Sequence, residues 1–297
     1  VKGGAVPGFS APPPEARIPS GQILRAEALG ARLPPLLVAA ERVAATVAQG
    51  VHGRRRVGQG DSFWQFRPYR HGDAPGRIDW RQSGKSDRTY VREMEWEAAQ
   101  TVHLWRDGSA SMRWRSGAAV PQKVERADLL LLALASLLLR GGERVRLMGH
   151  TTRGTLEAIA MELPRVGEGI PPATALPAHS RAVLIGDFLA PLDSMQAMIA
   201  RLAAIPVRGH LLQVLDPAEA LLPYSGRVRF RGMEGDGETL IPQVEGIREA
   251  YAEALAKQQD GLATMCRAAG WGFGVHRTDA PAGAALLPLY VALSGQA

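Results

Sequence analysis

The feature that most constrains this chain is an alternation that sets in at residue 100. "TVHLW" (101 to 105), "RVRLMG" (144 to 149), "AVLIG" (182 to 186), "HLLQVL" (210 to 215) and "WGFGVH" (271 to 276) are short, strand-like runs. Between them lie segments with helical spacing, from about Lys123 to Arg140, from about Pro191 to Ala204 and from about 244 to 269. Strand, helix and strand in succession require crossovers, and such crossovers are right-handed. The expected fold is therefore α/β: a Rossmann-like, mainly parallel central sheet with helices on both faces. A further edge strand is expected near "TLEAIA" (155 to 160), and a short hairpin from "GRVRFRG" (226 to 232) and "ETLIP" (238 to 242). At 297 residues, with 46% hydrophobic and 22% charged, the chain can bury one large core with little long disorder.

Upstream of residue 100 the pattern differs. Residues 1 to 30 are Pro-rich and read as a flexible tail, residues 31 to 98 as an N-terminal helix and extension, and residues 99 to 297 as the α/β domain. The helix is expected over 33 to 50, ending at Gly50, and residues 51 to 92 as irregular chain with short strands, closing on the strand-like "RTYVRE" (88 to 93). The first twenty residues have no continuous apolar stretch of the secretory kind, so a cytoplasmic location is expected. The longest apolar run, "LLLLALASLLL" (129 to 139), is about half of a bilayer-spanning helix and ends at Gly141-Gly142. Cys266 has no second cysteine to pair with and reads as buried packing.

In doubly wound sheets, ligands sit beyond the carboxyl ends of the strands where strand order reverses. Two acids stand at such ends, Asp107 after "TVHLWR" and Asp187 after "AVLIG". Asp107 opens "DGSAS", in which an acid and two hydroxyls, Ser109 and Ser111, alternate with small residues. Such a loop can be a turn or cap, a nucleophile, or part of a metal site built from hard oxygens. The nucleophilic reading is weakest, because no G-x-S-x-G elbow occurs and no histidine stands in an obvious place to serve as base. There is no Walker loop, no G-x-G-x-x-G and no Cys/His zinc spacing.

The stretch from 51 to 97 carries two further features. "HGRRR" (52 to 56) reads as a solvated or ion-paired surface, with a nucleic-acid patch as the alternative. In "YRHGDAPGRIDWRQSGKSD" (69 to 87), Asp73 and Asp79 could pair with Arg77 and Arg81, while Ile78 and Trp80 look like anchors into a core. The functional alternative is a docking surface of Tyr69, Asp73, Arg77, Asp79 and Trp80, since tyrosine, tryptophan and arginine dominate interface hot spots.

Taken together, D-x-S-x-S after a first strand and a later strand ending in Asp resemble the metal-ion-dependent adhesion site of von Willebrand factor A domains. "FWQFRPYRHGDAPGRIDWRQSGKSDRTYVREMEWE" (63 to 97) is similar to a block of the bacterial domain-of-unknown-function 58 family, matching its tyrosine, Gly-Asp and Arg-x-Ile-Asp-Trp through Tyr69, Gly72, Asp73, Arg77, Ile78, Asp79 and Trp80. The closing "GWGFGVHRTDAPAGAALLPLY" (270 to 290) resembles that family's end. Gly76 and "SGK" (83 to 85) depart from the expected Arg and Ser-Ala-Arg. The resemblance implies a bound divalent cation, Mg²⁺ or a substitute such as Mn²⁺, with Ser109 and Ser111 as direct ligands and Asp107 and Asp187 acting directly or through water. It also implies a threonine from an intervening loop, for which Thr174 in "PPATALP" is the best match by order, with Thr151 and Thr152 as alternatives. It further implies a non-enzymatic protein-interaction module serving a MoxR-type AAA+ ATPase. The rivals are a basic nucleic-acid-binding module, given the net charge of +6 and Arg54, Arg55 and Arg56, and a Mg²⁺-dependent phosphoryl-transfer enzyme using Asp107 and Asp187.

Overall fold

The computed structural model of the chain describes residues 38–48, 63–71, 73, 75–94, 100–151, 154–165, 169–172, 176–235 and 237–293. The first helix, α1 (38–48), packs into the main core through Ala40, Ala44 and Val47. Its Glu41 accepts a hydrogen bond from Ser136 (2.9 Å) and pairs with Arg140. The outer parts of the helix expected over 33 to 50 lie outside the described residues.

Two strands follow as an antiparallel pair, β1 (Phe63–Pro68) and β2 (Tyr90–Met94), with the short α2 (Trp80–Ser83) between them. Asp79 caps α2 by accepting the Gln82 N–H at 2.9 Å.

The central sheet has five parallel strands: β3 (Thr101–Arg106), β4 (Arg144–Leu147), β5 (Arg181–Gly186), β6 (Arg208–Leu215) and β9 (Gly272–Arg277), in the spatial order β4-β3-β5-β6-β9. The chain steps one way from β3 to β4, then returns past β3 and steps the other way through β5, β6 and β9. Right-handed crossovers in opposite directions put helices on opposite faces. Accordingly α3 (Lys123–Arg140) packs with α8 (Ala282–Leu293), and α5 (Leu192–Ala203) packs with α7 (Arg248–Ala268). Covered on both sides, β3 and β5 bury nearly every residue, which is why they read as continuous apolar runs. The α3 helix is buried almost all round, from Leu130 to Leu138. Its N-terminus carries a capping box between Gln122 and Glu125.

Two segments differ from expectation. Residues 155 to 160 are not an edge strand: they belong to α4 (Leu156–Glu162), capped by Thr155, whose hydroxyl accepts the Ala158 N–H at 3.3 Å. Leu156, Ile159, Ala160 and Leu163 fall at helical spacing and turn toward the core, and this outweighs the short apolar alternation that suggested a strand. After β9 the chain adds α8, which contains Pro288 and was not anticipated. The expected hairpin is present as β7 (Val228–Arg231) and β8 (Glu238–Ile241), inserted after the short α6 (Pro217–Leu221) and before α7. Cys266 is buried among apolar side chains, and that burial pushes its thiol up to about 12. Among the described residues, no helix is long and apolar enough to cross a membrane.

Candidate functional site

Strand order reverses between β3 and β5, so the carboxyl ends of these two strands frame the natural crevice. The loop after β3 starts from a fixed point. Arg106, itself buried, donates to Asp128 of α3 at 2.6 Å and to the Leu163 carbonyl at 2.7 Å. The Asp107 N–H continues the ladder to the Ile185 carbonyl at 2.8 Å. The Asp107 carboxylate then folds the chain back on itself, accepting the Ser109 N–H at 2.8 Å in an Asx turn and the Gly169 N–H at 2.9 Å from the loop before β5. The turn-forming reading of "DGSAS" is thus met by the same carboxylate that faces the crevice. Burial pushes the Asp107 carboxyl up, the Gly169 and Ser109 N–H groups work against this, and the nearby Asp187 charge adds to the rise.

Asp187 arrives from the end of β5. Gly186 allows the two loops to approach, because a side chain there would stand 3.1 Å from Asp107 Cβ and 3.3 Å from the Phe188 ring. Phe188 itself has φ of 47°, a left-handed conformation unfavourable for a bulky residue. Gln213 of β6 holds this bend by donating to the Asp187 carbonyl at 2.7 Å. The outcome is a contiguous row of oxygens. Ser109 Oγ lies 3.0 Å from Ser111 Oγ, and Ser111 Oγ donates to Asp187 Oδ2 at 2.7 Å. Asp107, Ser109, Ser111 and Asp187 are therefore brought together. Thr174 and Thr152 lie outside the described residues, and Thr151 is exposed and does not line the crevice. The third loop reaches the site through Gly169.

Three participants were not foreseen. Lys123, the first residue of α3, is completely buried and donates to Asp187 Oδ2 at 2.9 Å and to Glu219 Oε1 at 2.6 Å. Burial opposes its charge, but Asp187 and Glu219 outweigh it and hold the ammonium above its ordinary pKa. Glu219 belongs to α6, where its second oxygen accepts the Asp216 N–H at 2.9 Å. Asp216 is a third strand-end acid, following β6, but it is spent on structure: it caps α6 through Ala218 N–H (2.8 Å) and accepts Ser116 N–H (2.9 Å). "HLLQVL" followed by Asp could have flagged Asp216 by the same rule that found the other two. Nothing local marks Lys123, because an ammonium buried at a helix start becomes intelligible only when Asp187 and Glu219 are seen beside it.

The crevice opens into a cavity of about 960 Å³ lined by Asp107, Ser109, Ser111, Asp187 and Glu219 at one end and mostly apolar side chains elsewhere. Glu234, from the β7–β8 turn, accepts the Ser111 N–H at 3.2 Å. Among the described residues, no group of three or more His, Cys, Asp or Glu could by itself hold a metal, so hydroxyls would have to supply part of any coordination shell.

The Tyr69 to Trp80 segment stands apart from this cavity. Asp73 pairs with Arg67 through bonds of 2.6 and 2.7 Å, a partner the sequence did not single out, and the Arg67 guanidinium holds its carboxyl far below the ordinary range. The Arg70 N–H, two residues past β1, also donates to Asp73 at 2.7 Å. Ile78 is half-buried in a bridge to Val91, but Trp80 is 70% exposed and Tyr69 is 38% exposed, so Trp80 is no core anchor. It sits on the first turn of a one-turn helix that buries no residue of its own. The Arg77 side chain and Arg54, Arg55 and Arg56 lie outside the described residues.

A five-stranded parallel sheet in this order, flanked by helices and with a polar crevice at its switch point, defines a doubly wound, Rossmann-like α/β protein. Within that class, the chain belongs to the family described as Protein of unknown function DUF58, whose model matches residues 65–162 and 173–261, spanning Asp107, Lys123, Asp187 and Glu219. It is similar to the uncharacterized protein Mb1516 of Mycobacterium bovis, at 27% identity over 258 residues, covering 78% of this chain and 80% of that protein. The uncharacterized protein Rv1480 of Mycobacterium tuberculosis matches at the same identity and coverage. Among solved structures, the conserved hypothetical protein BatB from Bacteroides thetaiotaomicron aligns with 66% of this chain and 98% of its own, at 16% identity and a TM-score of 0.40.

Proposed function

We propose that this protein is a non-enzymatic interaction module whose crevice holds a divalent cation, Mg²⁺ or Mn²⁺, and presents it to a protein partner. The observation that carries the reading is a charge imbalance. Asp107, Asp187 and Glu219, when ionised, set three negative charges around the single buried ammonium of Lys123. Lys123 is shared by Asp187 and Glu219, and Asp107 accepts only the neutral Ser109 and Gly169 N–H groups, so the fully ionised cluster carries a net charge of minus two (three carboxylates against one ammonium) beside two neutral hydroxyls, an excess that a bound cation would offset. The donors are all hard oxygens, as Mg²⁺ prefers, and the 3.0 Å between Ser109 Oγ and Ser111 Oγ suits adjacent positions about 2.9 Å apart in an octahedral shell. Ser109, Ser111 and Asp187 would hold the ion, with Asp107 orienting the loop. Such a site would supply an electrophilic position for a partner's carboxylate.

Hydrolytic chemistry has less support. Ser109 bonds to Ser111 and Ser111 to Asp187, with no histidine on either hydroxyl, and the same Asp187 oxygen already accepts from the Lys123 ammonium. The family resemblance points to a MoxR-type AAA+ ATPase as the partner, which this protein would serve as an adaptor. The test is thermal unfolding with Mg²⁺ against EDTA. Binding at a hundredfold excess over Kd adds about 2.7 kcal/mol, so the native chain should melt several degrees higher with the metal. Asp107→Ala and Ser109→Ala should abolish the increase, and a native chain with no shift at millimolar Mg²⁺ would overturn the reading.

A further inference from the structure

The β7–β8 hairpin gives the crevice a second half. Its strand "VRFR" (228 to 231) alternates, with Val228 and Phe230 half-buried and Arg229 and Arg231 exposed, yet all four line the cavity. Tyr224 meets Phe230 edge to face at 5.8 Å and stiffens this wall. The turn is drawn over the first loop by Glu234, which accepts the Ser111 N–H. Around the same cavity stand three large apolar side chains that remain substantially exposed: Leu189 (42%), Met233 (45%) and Ile247 (36%). They come from three separate elements and converge on one space, whereas scattered surface leucines would not. Two arginines stand at the rim: Arg229 and Arg231 share Glu238 as a loose partner at 3.8 Å and stay 69% and 80% exposed, with Glu234 as the acid beside them.

We propose that this cavity is a two-part peptide site that takes an acidic side chain followed directly by large apolar side chains in an extended segment of a partner protein. The inference rests on the metal reading for its acidic end, and on the hairpin wall for its apolar end. The carboxylate enters beside Ser109 and Ser111, and the arginine rim favours an anionic segment. The apolar side chains cover Leu189, Met233 and Ile247 and remove them from water. A volume near the upper end of the roughly 300 to 1,000 Å³ found for ligand pockets suits several residues better than one side chain.

The probes are acetylated, amidated tetrapeptides of sequence Gly-Asp-Leu-Phe, Gly-Asp-Ser-Ser and Gly-Asn-Leu-Phe, titrated against the full chain in Mg²⁺ by ligand-observed NMR. The first should bind about tenfold more tightly than either control, the size of loss expected when one contributing interface side chain is truncated. Leu189→Ser with Met233→Ser, both at exposed positions, should cut the advantage over the Ser-Ser peptide to about twofold or less while leaving the Mg²⁺ thermal shift intact. Equal binding of the Leu-Phe and Ser-Ser peptides, an undiminished preference in the double variant, or no binding up to millimolar peptide would each overturn the proposal. Equal binding of the Asp and Asn peptides would overturn its acidic half. The metal reading fails separately, through absence of the Mg²⁺ shift in the native chain, and a Leu-Phe preference surviving in EDTA would then retain the apolar chamber alone.

Discussion

Replacing Lys123 by methionine keeps the length and apolar stem of the side chain and deletes only its charge. In the native chain the ammonium lies 2.9 Å from Asp187 and 2.6 Å from Glu219, with no exposure. At an effective dielectric constant near 20, each contact carries a gross attraction of about 6 kcal/mol, most of which is consumed by stripping water from three ions. The net effect of breaking a buried pair from one side is about 3–5 kcal/mol, because the carboxylates stay behind unpaired. For a chain of this size, each kcal/mol corresponds to about 2–4 °C, so Lys123→Met should lower the melting temperature by roughly 6–20 °C in EDTA. The uncompensated charge at the crevice rises from two to three, so Mg²⁺ should raise the melting temperature of the variant by more than it raises that of the native chain. Thermal unfolding followed by intrinsic fluorescence, with and without Mg²⁺, reads both effects. A melting temperature within about 2 °C of native in EDTA would refute the buried-pair argument, since even a modest lysine contribution exceeds that limit. A Mg²⁺ increment equal to or smaller than the native one would refute the charge-deficit argument.

The remaining predictions concern packing on β6 and the response of two sheet histidines to acid. Gly209 of β6 has the Trp271 indole lying over its bare backbone, where the indole N–H reaches the Val207 carbonyl at 3.0 Å; a methyl built at Gly209 overlaps the ring. Gly209→Ala should therefore cost about 1–3 kcal/mol by overpacking, measured as a lower urea midpoint at an unchanged slope, and an unchanged midpoint would contradict the packing. His210 and His276 are held neutral by burial, each with a pKa lowered to about 4. The unfolded chain therefore takes up their protons first, at about pH 6.5, so their contribution is complete above that pH and is lost as pH falls toward 4, on the order of 3 kcal/mol for each histidine. Buried carboxyls raised by burial, such as Asp107, act in the opposite sense. The histidine share is thus read by difference: the double variant His210→Gln, His276→Gln should lose less stability between pH 7 and pH 4.5 than the native chain, and an equal loss would remove the histidine explanation.

The elements that were legible are those whose environment is uniform along their length. β3, β5 and the α3 helix are buried on nearly all sides, so their apolar runs announce them without reference to any neighbour. Where burial is one-sided and short the pattern is ambiguous, and α4, with seven residues, offered both a two-residue and a helical period until the core selected the second. Trp80 shows the converse, since aromatic character alone does not distinguish an anchor from an exposed surface residue.

The sequence by itself determined the alternating α/β order and placed Asp107, Ser109, Ser111 and Asp187 at strand ends, because strand direction and right-handed crossovers follow from local patterns and chirality. Only the tertiary structure decided what those groups meet. Lys123 and Asp187 are separated by 64 residues, and Lys123 and Glu219 by 96, yet they share one buried charge cluster. The hairpin carrying Met233 and Glu234 closes over a loop more than a hundred residues earlier. Charge pairing and cavity walls depend on distances in space, and no local period of the chain encodes a contact between segments that far apart.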